Sequence, residues 1–127
     1  MPKFITLTQL EAAFACSRSR ERFEALFGPR VRVTEELAKV AAAEFSWSWA
    51  AEYLLSKKGQ RIYAKAAVPA RDVFGQALAP LRAEYRVSQG AAVETAWRTY
   101  EAARDKARLA LDLTLAVAFA KAYVADD

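Results

Sequence analysis

Histidine is absent from this sequence of 127 residues, and cysteine, glycine and proline are all scarce. Without histidine the chain lacks the commonest general base, the usual catalytic triads and the ligands of most zinc sites. The single cysteine, Cys16, excludes an internal disulfide and fits a reducing cytoplasm. We therefore expect a protein that is not an enzyme and that holds no metal or other cofactor.

Long apolar runs are also missing. The longest run, near the C-terminus, covers about a dozen residues and contains Asp112, so it is too short to span a bilayer. The opening MPKFITLTQL has one lysine and no long apolar core, which is not typical of a secretory signal. These features predict a cytoplasmic protein with no membrane contact.

The hydrophobic content of 54%, with only four glycines and four prolines, favours helices and a real core. Residues 91–124 contain neither glycine nor proline and predict a helix roughly 50 Å long. From Leu109 to Ala120 apolar side chains surround this helix, interrupted only by Asp112 and Thr114, which predicts burial on every side. We therefore predict one all-α domain, residues 1–127, a small helical bundle with short N-terminal helices packed around a long C-terminal helix.

Capping residues divide the first sixty residues into short helices. The predicted N-caps are Thr8 with Glu11 in a capping box, Ser17 or Ser19, Thr34, and Ser46. Gly28 and residues 56–59 are predicted helix ends. The segments around Ile5 and Val31 are predicted to pair as two very short strands. Leu37, Val40 and Ala41 are the predicted buried side of the helix that Thr34 begins.

An eleven-residue repeat begins near Ile62. It spaces Tyr63, Phe74 and Tyr85 evenly, and it spaces Pro69 and Pro80 by the same step. Eleven residues are close to three helical turns, so the aromatic side chains are expected on one stripe. The prolines allow either one kinked helix or two helices broken near Pro69.

The segment ACSRSRERFEALFGPRVRVTEELAKVAAAEFSWSWAAEYLL resembles a pattern in small phage and prophage proteins whose function is unknown. In that pattern a cysteine is followed by an aromatic residue, FG, V-x-V-T, and a tryptophan-bearing helix ending in WAA and leucines. The next segment, YAKAAVPARDVFGQALAPLRAEY, is similar to their C-terminal parts. A Ser/Arg run here replaces a glycine that usually follows the cysteine. The resemblance covers residues 15–85, implies a mobile-element origin, and supplies no catalytic or binding residues.

The net charge of +4 arises in the N-terminal half, from two groups of basic residues. Nucleic-acid binding is one interpretation of these groups. A solvated face is the other, because glutamates lie between the arginines. The first group is Arg18, Arg20, Arg22, Arg30 and Arg32, and the second is Lys57, Lys58, Arg61 and Lys65.

Aromatic residues are the second kind of candidate binding residue. Trp47 and Trp49 cannot point the same way on a helix, so Trp49 is the candidate for a surface position. The first half of the C-terminal helix is predicted to extend beyond the short helices, which would leave a surface for a partner or for a homodimer. This predicted surface consists of Trp97, Arg98, Tyr100, Glu101, Arg104 and Asp105.

Two single residues have both a chemical and a structural interpretation. Cys16 lies near Arg18 and Arg20, which lower a thiol pKa, but burial as a small hydrophobic residue is the favoured interpretation. Asp112 lies in the most apolar part of the C-terminal helix. An ion pair with Arg108 or with a distant arginine, or simply a polar edge on the helix, is favoured over a functional acid.

Together these patterns favour a non-enzymatic interaction protein of phage or other mobile-element origin that binds a protein. Inhibition of a bacterial defence system, as by anti-CRISPR proteins, is one concrete form. The alternative is a small basic accessory protein associated with nucleic acid.

Overall fold

The computed structural model describes residues 3–126 of the chain. Its elements are β1 (Phe4–Thr6), α1 (Leu7–Ala12), α2 (Ser17–Phe27), β2 (Arg30–Arg32), α3 (Glu35–Val40), α4 (Trp47–Leu54), α5 (Lys57–Val87) and α6 (Ala92–Ala125). The predicted all-α bundle is confirmed, since the described part of the chain is mainly helical and its sheet has only two strands. The predicted C-terminal helix is confirmed to within one residue at each end.

The two longest helices, α5 and α6, pack side by side as an antiparallel hairpin. At one end, here called the base, Ser56 bonds to Asp126; at the other, here called the tip, the Tyr85 ring lies 5.2 Å from that of Trp97. Helix α5 continues through both Pro69 and Pro80, so the repeat forms one helix and not two.

The N-terminal elements cover only the base of this hairpin, where α3 and α4 pack on α6. A chain of aromatic contacts joins the layers: the ring of Trp47 lies 6.2 Å from Phe45 and 5.6 Å from Phe119. Phe119 is 1% exposed. A cavity of about 100 Å³ remains among these rings. The main core therefore lies at the base, and the tip extends beyond it.

Several local predictions are confirmed. Strands β1 and β2 pair antiparallel, with Ile5 opposite Val31. Thr34 and Ser46 cap α3 and α4 by accepting hydrogen bonds from backbone N–H groups. Gly28 ends α2 with a φ of 73°, a left-handed conformation that favours glycine.

Three predicted helix boundaries are wrong. Thr6, and not Thr8, caps α1, and its capping box uses Gln9. Neither Ser17 nor Ser19 caps α2, because the helix already begins at Ser17. Cys16 occupies the N-cap position, and its side chain makes no capping hydrogen bond. Residues 56–59 begin α5 and do not end α4, since the Ser56 hydroxyl accepts a hydrogen bond from the N–H of Gly59.

The burial predictions also need correction. Val40 is 84% exposed, and Ala38 replaces it on the buried side of α3. Leu109 and Leu113 are exposed as well, so this part of α6 is not buried on every side. The reason is that the N-terminal helices cover α6 only along its last few turns.

Candidate protein-binding site at the tip of the hairpin

An aromatic cluster closes the tip of the hairpin. Trp97, in the second turn of α6, lies between Tyr85 of α5, at 5.2 Å, and Tyr100 of α6, at 5.8 Å between ring centroids. Trp97 is 38% exposed, and both tyrosines are half-buried. Their packing joins α5 to α6 where the short N-terminal helices do not reach.

Two arginines extend this cluster. The guanidinium of Arg104 lies 6.0 Å from the ring centroid of Trp97 and 5.8 Å from that of Tyr100. Arg82 of α5 lies 5.9 Å from the Tyr100 ring and donates a hydrogen bond of 3.4 Å to its hydroxyl. Cations at this distance from an aromatic face are attracted by the ring quadrupole. We call these five residues the tip cluster: Arg82, Tyr85, Trp97, Tyr100 and Arg104.

The structure brings together part of the predicted surface on α6. Trp97, Tyr100 and Arg104 belong to the tip cluster, whereas Arg98 pairs with Glu94 at 2.5 Å. Arg82 and Tyr85 were not predicted, because the sequence does not indicate that α5 runs along the full length of α6. The eleven-residue repeat places Tyr85 on the aromatic stripe of α5, whereas no sequence pattern indicates a role for Arg82.

The second basic group forms a compact patch. Lys57, Lys58, Arg61 and Lys65 lie within the first three turns of α5, and all four are exposed. Their spacing places them on one flank of the helix. The patch is therefore a continuous positive surface at the base of the hairpin.

The first basic group is more dispersed. Arg22 forms a two-pronged ion pair with Glu44, at 2.7 and 2.9 Å, which lowers the pKa of that carboxyl and raises the pKa of the guanidinium. Arg30 lies over the ring of Phe4. Arg18 and Arg20 are on α2, which packs against α1 and β2, whereas α5 packs against α4 and α6. The first basic group is therefore divided between α2 and β2, whereas the second lies on one helix.

Trp49, the predicted candidate for a surface position, is only half-exposed. Its ring lies 5.1 Å from that of Tyr53 and borders the internal cavity. Tyr53, at 54% exposed, is the more accessible of the two.

Cys16 is exposed, so the favoured interpretation of a buried cysteine is wrong. Its sulfur lies 3.1 Å from the hydroxyl of Ser19, and hydrogen bonding with Ser19 lowers the pKa of the thiol. The predicted ion pair of Asp112 with Arg108 is confirmed at 3.3 Å.

A shallow apolar groove of about 620 Å³ lies between the two long helices. Most of its lining side chains are small, although Phe74 and Leu111 also contribute, and Lys106 is its one charged lining residue within residues 3–126. Its α5 wall includes Ala66, Pro69, Val73 and Ala77, and its α6 wall includes Ala103, Ala107 and Ala110.

Among the described residues no three His, Cys, Asp or Glu side chains are grouped as a metal site would require. None of the helices in this part of the chain is both long and apolar enough to cross a membrane. Comparison with protein-family models, with curated proteins and with solved structures gives no match.

Proposed function

We propose that this chain is a non-enzymatic interaction protein that binds another protein through the tip cluster. Tryptophan, tyrosine and arginine are the residues most enriched among those that dominate binding energy at protein interfaces. The tip cluster combines all three at an end of the hairpin that the N-terminal helices leave uncovered. This juxtaposition is the observation that carries the proposal.

The resemblance to phage proteins suggests a partner from a bacterial host. A component of a bacterial defence system is the concrete form that we favour. The cationic side chains of Arg82 and Arg104 favour a partner surface with carboxylates around an apolar centre, because such a surface pairs with both chemical features of the cluster.

We expect Trp97→Ala to weaken binding to the partner by at least about 30-fold, the effect of losing a residue worth about 2 kcal/mol. The partner would be captured on the immobilised protein from nuclease-treated bacterial lysate and identified by mass spectrometry. Its affinity for each variant would then be measured with both proteins purified. Arg104→Ala is a second variant that removes the cation and keeps the aromatic packing.

The matched control is Tyr53→Ala, which removes an exposed aromatic residue from α4. Its affinity should stay within about threefold of the unmodified protein, as for a residue outside the interface. Circular dichroism would confirm that each variant keeps its helices. Equal losses for Tyr53→Ala and Trp97→Ala, or no loss for Trp97→Ala and Arg104→Ala, would refute the proposal.

The basic patch on α5 supports a second candidate, an accessory protein that contacts nucleic acid. The net charge of the whole chain is only +4, so we expect binding to random duplex DNA weaker than about 1 µM at physiological salt. Fluorescence anisotropy at low and physiological salt would measure this. Submicromolar binding that is lost in Lys57→Glu/Arg61→Glu/Lys65→Glu would favour the nucleic-acid function instead.

A further inference from the structure

We infer that the apolar cavity at the base of the hairpin binds a small uncharged molecule built on a single aromatic ring. The cavity has a volume of about 100 Å³. Every element of the described chain except α5 contributes to its lining. Because the cavity lies at the base and the tip cluster lies at the opposite end of the hairpin, this inference goes beyond the proposed function and does not depend on it.

The cavity is larger than the voids that a packed core normally contains. Native cores have few voids larger than a water molecule, which occupies about 30 Å³ in the liquid. An apolar cavity of about 150 Å³, engineered into another protein, takes up benzene or xenon. The cavity here is smaller, so one ring is the largest occupant that fits without movement of its walls.

Alanine residues leave this space open. Ala38 of α3, Ala41 just after α3, Ala50 of α4 and Ala120 of α6 all line the cavity, and all four are buried. A longer side chain at any of these positions would occupy part of the volume. The cavity is therefore bordered by small side chains from three different parts of the fold.

The larger side chains around the cavity are held in place by other contacts. The indole Nε1 of Trp47 donates a hydrogen bond of 2.8 Å to the carbonyl of Ala42, and the Trp47 ring packs against Phe45 and Phe119. The cavity therefore does not close by a simple rotation of Trp47. A ligand would meet a preformed site and would supply the dispersion contacts that the lining atoms lack.

The polar groups of the lining are few and already bonded. They are the hydroxyls of Ser19, Thr34 and Ser46. Thr34 and Ser46 cap helices, and Ser19 bonds to the sulfur of Cys16. A water molecule needs two to four polar partners, and a charged ligand would lose its hydration without an opposite charge, since no charged side chain of the described chain lines the cavity. The lining therefore selects an uncharged, apolar occupant.

The aromatic side chains of the lining favour a ring over an alkyl group. Rings attract one another in edge-to-face and offset arrangements, beyond the effect of buried area. Phe23 and Phe27 already pack in this way, with ring centroids 5.3 Å apart at 72°. The aromatic residues that line the cavity are Phe23, Phe27, Phe45, Trp47, Trp49 and Phe119.

A ligand can enter without unfolding of the core. Leu37, Phe45 and Trp49 line the cavity and are also half-buried, so each of them reaches from the cavity to solvent. A single layer of side chains therefore separates the cavity from water on that side. Exposed side chains change rotamer within nanoseconds, which gives a small molecule a route inward.

Titration of the isotope-labelled full chain with benzene, followed by proton–nitrogen NMR, would test this inference. We expect saturable shifts of backbone amides in α3 and α4, with a Kd of about 1 mM or lower, as is attainable for a ligand of this size in an apolar site. Benzoate, which adds a charge to the same ring, should cause no saturable shift at these amides. No saturation with benzene, or saturable shifts confined to other parts of the chain, would overturn the inference.

Filling the cavity provides the matched comparison. Ala50→Leu should weaken benzene binding at least about tenfold, because the added carbon atoms occupy the space of the ring. Ala41→Leu fills the same cavity from a second wall and should have the same effect. The control is Ala25→Leu, the same change at an exposed alanine of α2 outside the cavity, and its affinity should stay within about twofold.

Circular dichroism would show that each variant keeps its helices. A folded Ala50→Leu or Ala41→Leu protein that binds benzene as tightly as the unmodified chain would refute the inference. So would an equal loss in Ala25→Leu.

Discussion

Replacement of Phe119 by alanine is expected to lower the free energy of unfolding by about 3–5 kcal/mol, the range for large-to-small changes at buried aromatic positions. Phe119 is 1% exposed, and its ring contacts those of Trp47 and Tyr123, at 5.6 and 5.5 Å. It therefore joins α4 to α6 at the centre of the core. Its neighbours already enclose a cavity of about 100 Å³, which the substitution would enlarge.

Urea unfolding followed by far-ultraviolet circular dichroism would measure this loss. The control is Phe14→Ala, the same chemical change at a side chain that is 91% exposed. That change should alter the free energy of unfolding by no more than about 0.5 kcal/mol, as is usual at surface positions. Because small domains are stable by only about 5–15 kcal/mol, the two variants should separate clearly. A loss below about 1 kcal/mol for Phe119→Ala would contradict the packing described.

The sequence predicted best those features that depend on neighbouring residues. Thr34 and Ser46 were identified as caps because their hydroxyls bond to backbone N–H groups only three residues away. The predicted N-cap of α1, Thr8, was wrong because a second residue nearby has the same local pattern. Thr6 and Thr8 are each followed at three residues by a side chain that completes a capping box, and the hydrogen bond from Leu7 N–H to Pro29 O, which continues the β1–β2 pairing, fixes where the helix begins.

Long-range pairing limited the prediction of the tip cluster. Trp97 and Tyr100 could be identified from their positions on α6, since they share one helix. Arg82 joins them only because α5 returns along α6, and nothing local to Arg82 indicates that contact. Periodicity showed that α5 has an aromatic stripe, but it did not show which helix would cover the stripe.

Burial was also only partly predictable. The pattern from Leu109 to Ala120 indicates an apolar helix, but how many of its sides are covered depends on where α3 and α4 dock. Leu109 is 63% exposed because these short helices pack nearer the C-terminus of α6.

The base of the hairpin is fixed by Asp126, which is 8% exposed. Its carboxylate accepts hydrogen bonds from the backbone N–H of Ser56, at 2.8 Å, and from the Ser56 hydroxyl. Lys3 donates to the backbone carbonyl of Asp126 at 2.6 Å. A negative charge at the N-terminus of α5 also interacts favourably with the helix dipole. Asp126 therefore ties the end of α6 to the beginning of α5.

Gly59 makes this contact possible, and Gly59→Ala should lower the free energy of unfolding by about 1–3 kcal/mol, the cost of displacing a charged hydrogen-bond partner. A Cβ at position 59 would lie 2.8 Å from a carboxylate oxygen of Asp126 and 3.2 Å from the Cβ of Leu55. The matched control is Gly75→Ala in the same helix, where a Cβ meets nothing within 4 Å. Because alanine is the better helix former, the control should stabilise the protein by about 0.5–1 kcal/mol. Changes of the same sign in both variants would contradict this account.

The pH dependence gives an independent test of Asp126. Hydrogen bonds from Ser56 hold the pKa of its carboxyl below the ordinary value of 3.8 in the folded protein. The carboxylate therefore contributes stability above pH 3.8, and this contribution is lost as the pH falls through the lower, folded pKa. Asp126→Asn has no such titration, so the difference in free energy of unfolding between it and the unmodified protein should be largest near neutral pH and shrink below about pH 4. Urea unfolding of both proteins at a series of pH values would measure it. A difference that stays constant or grows on acidification would show that the carboxylate does not hold the base of the hairpin.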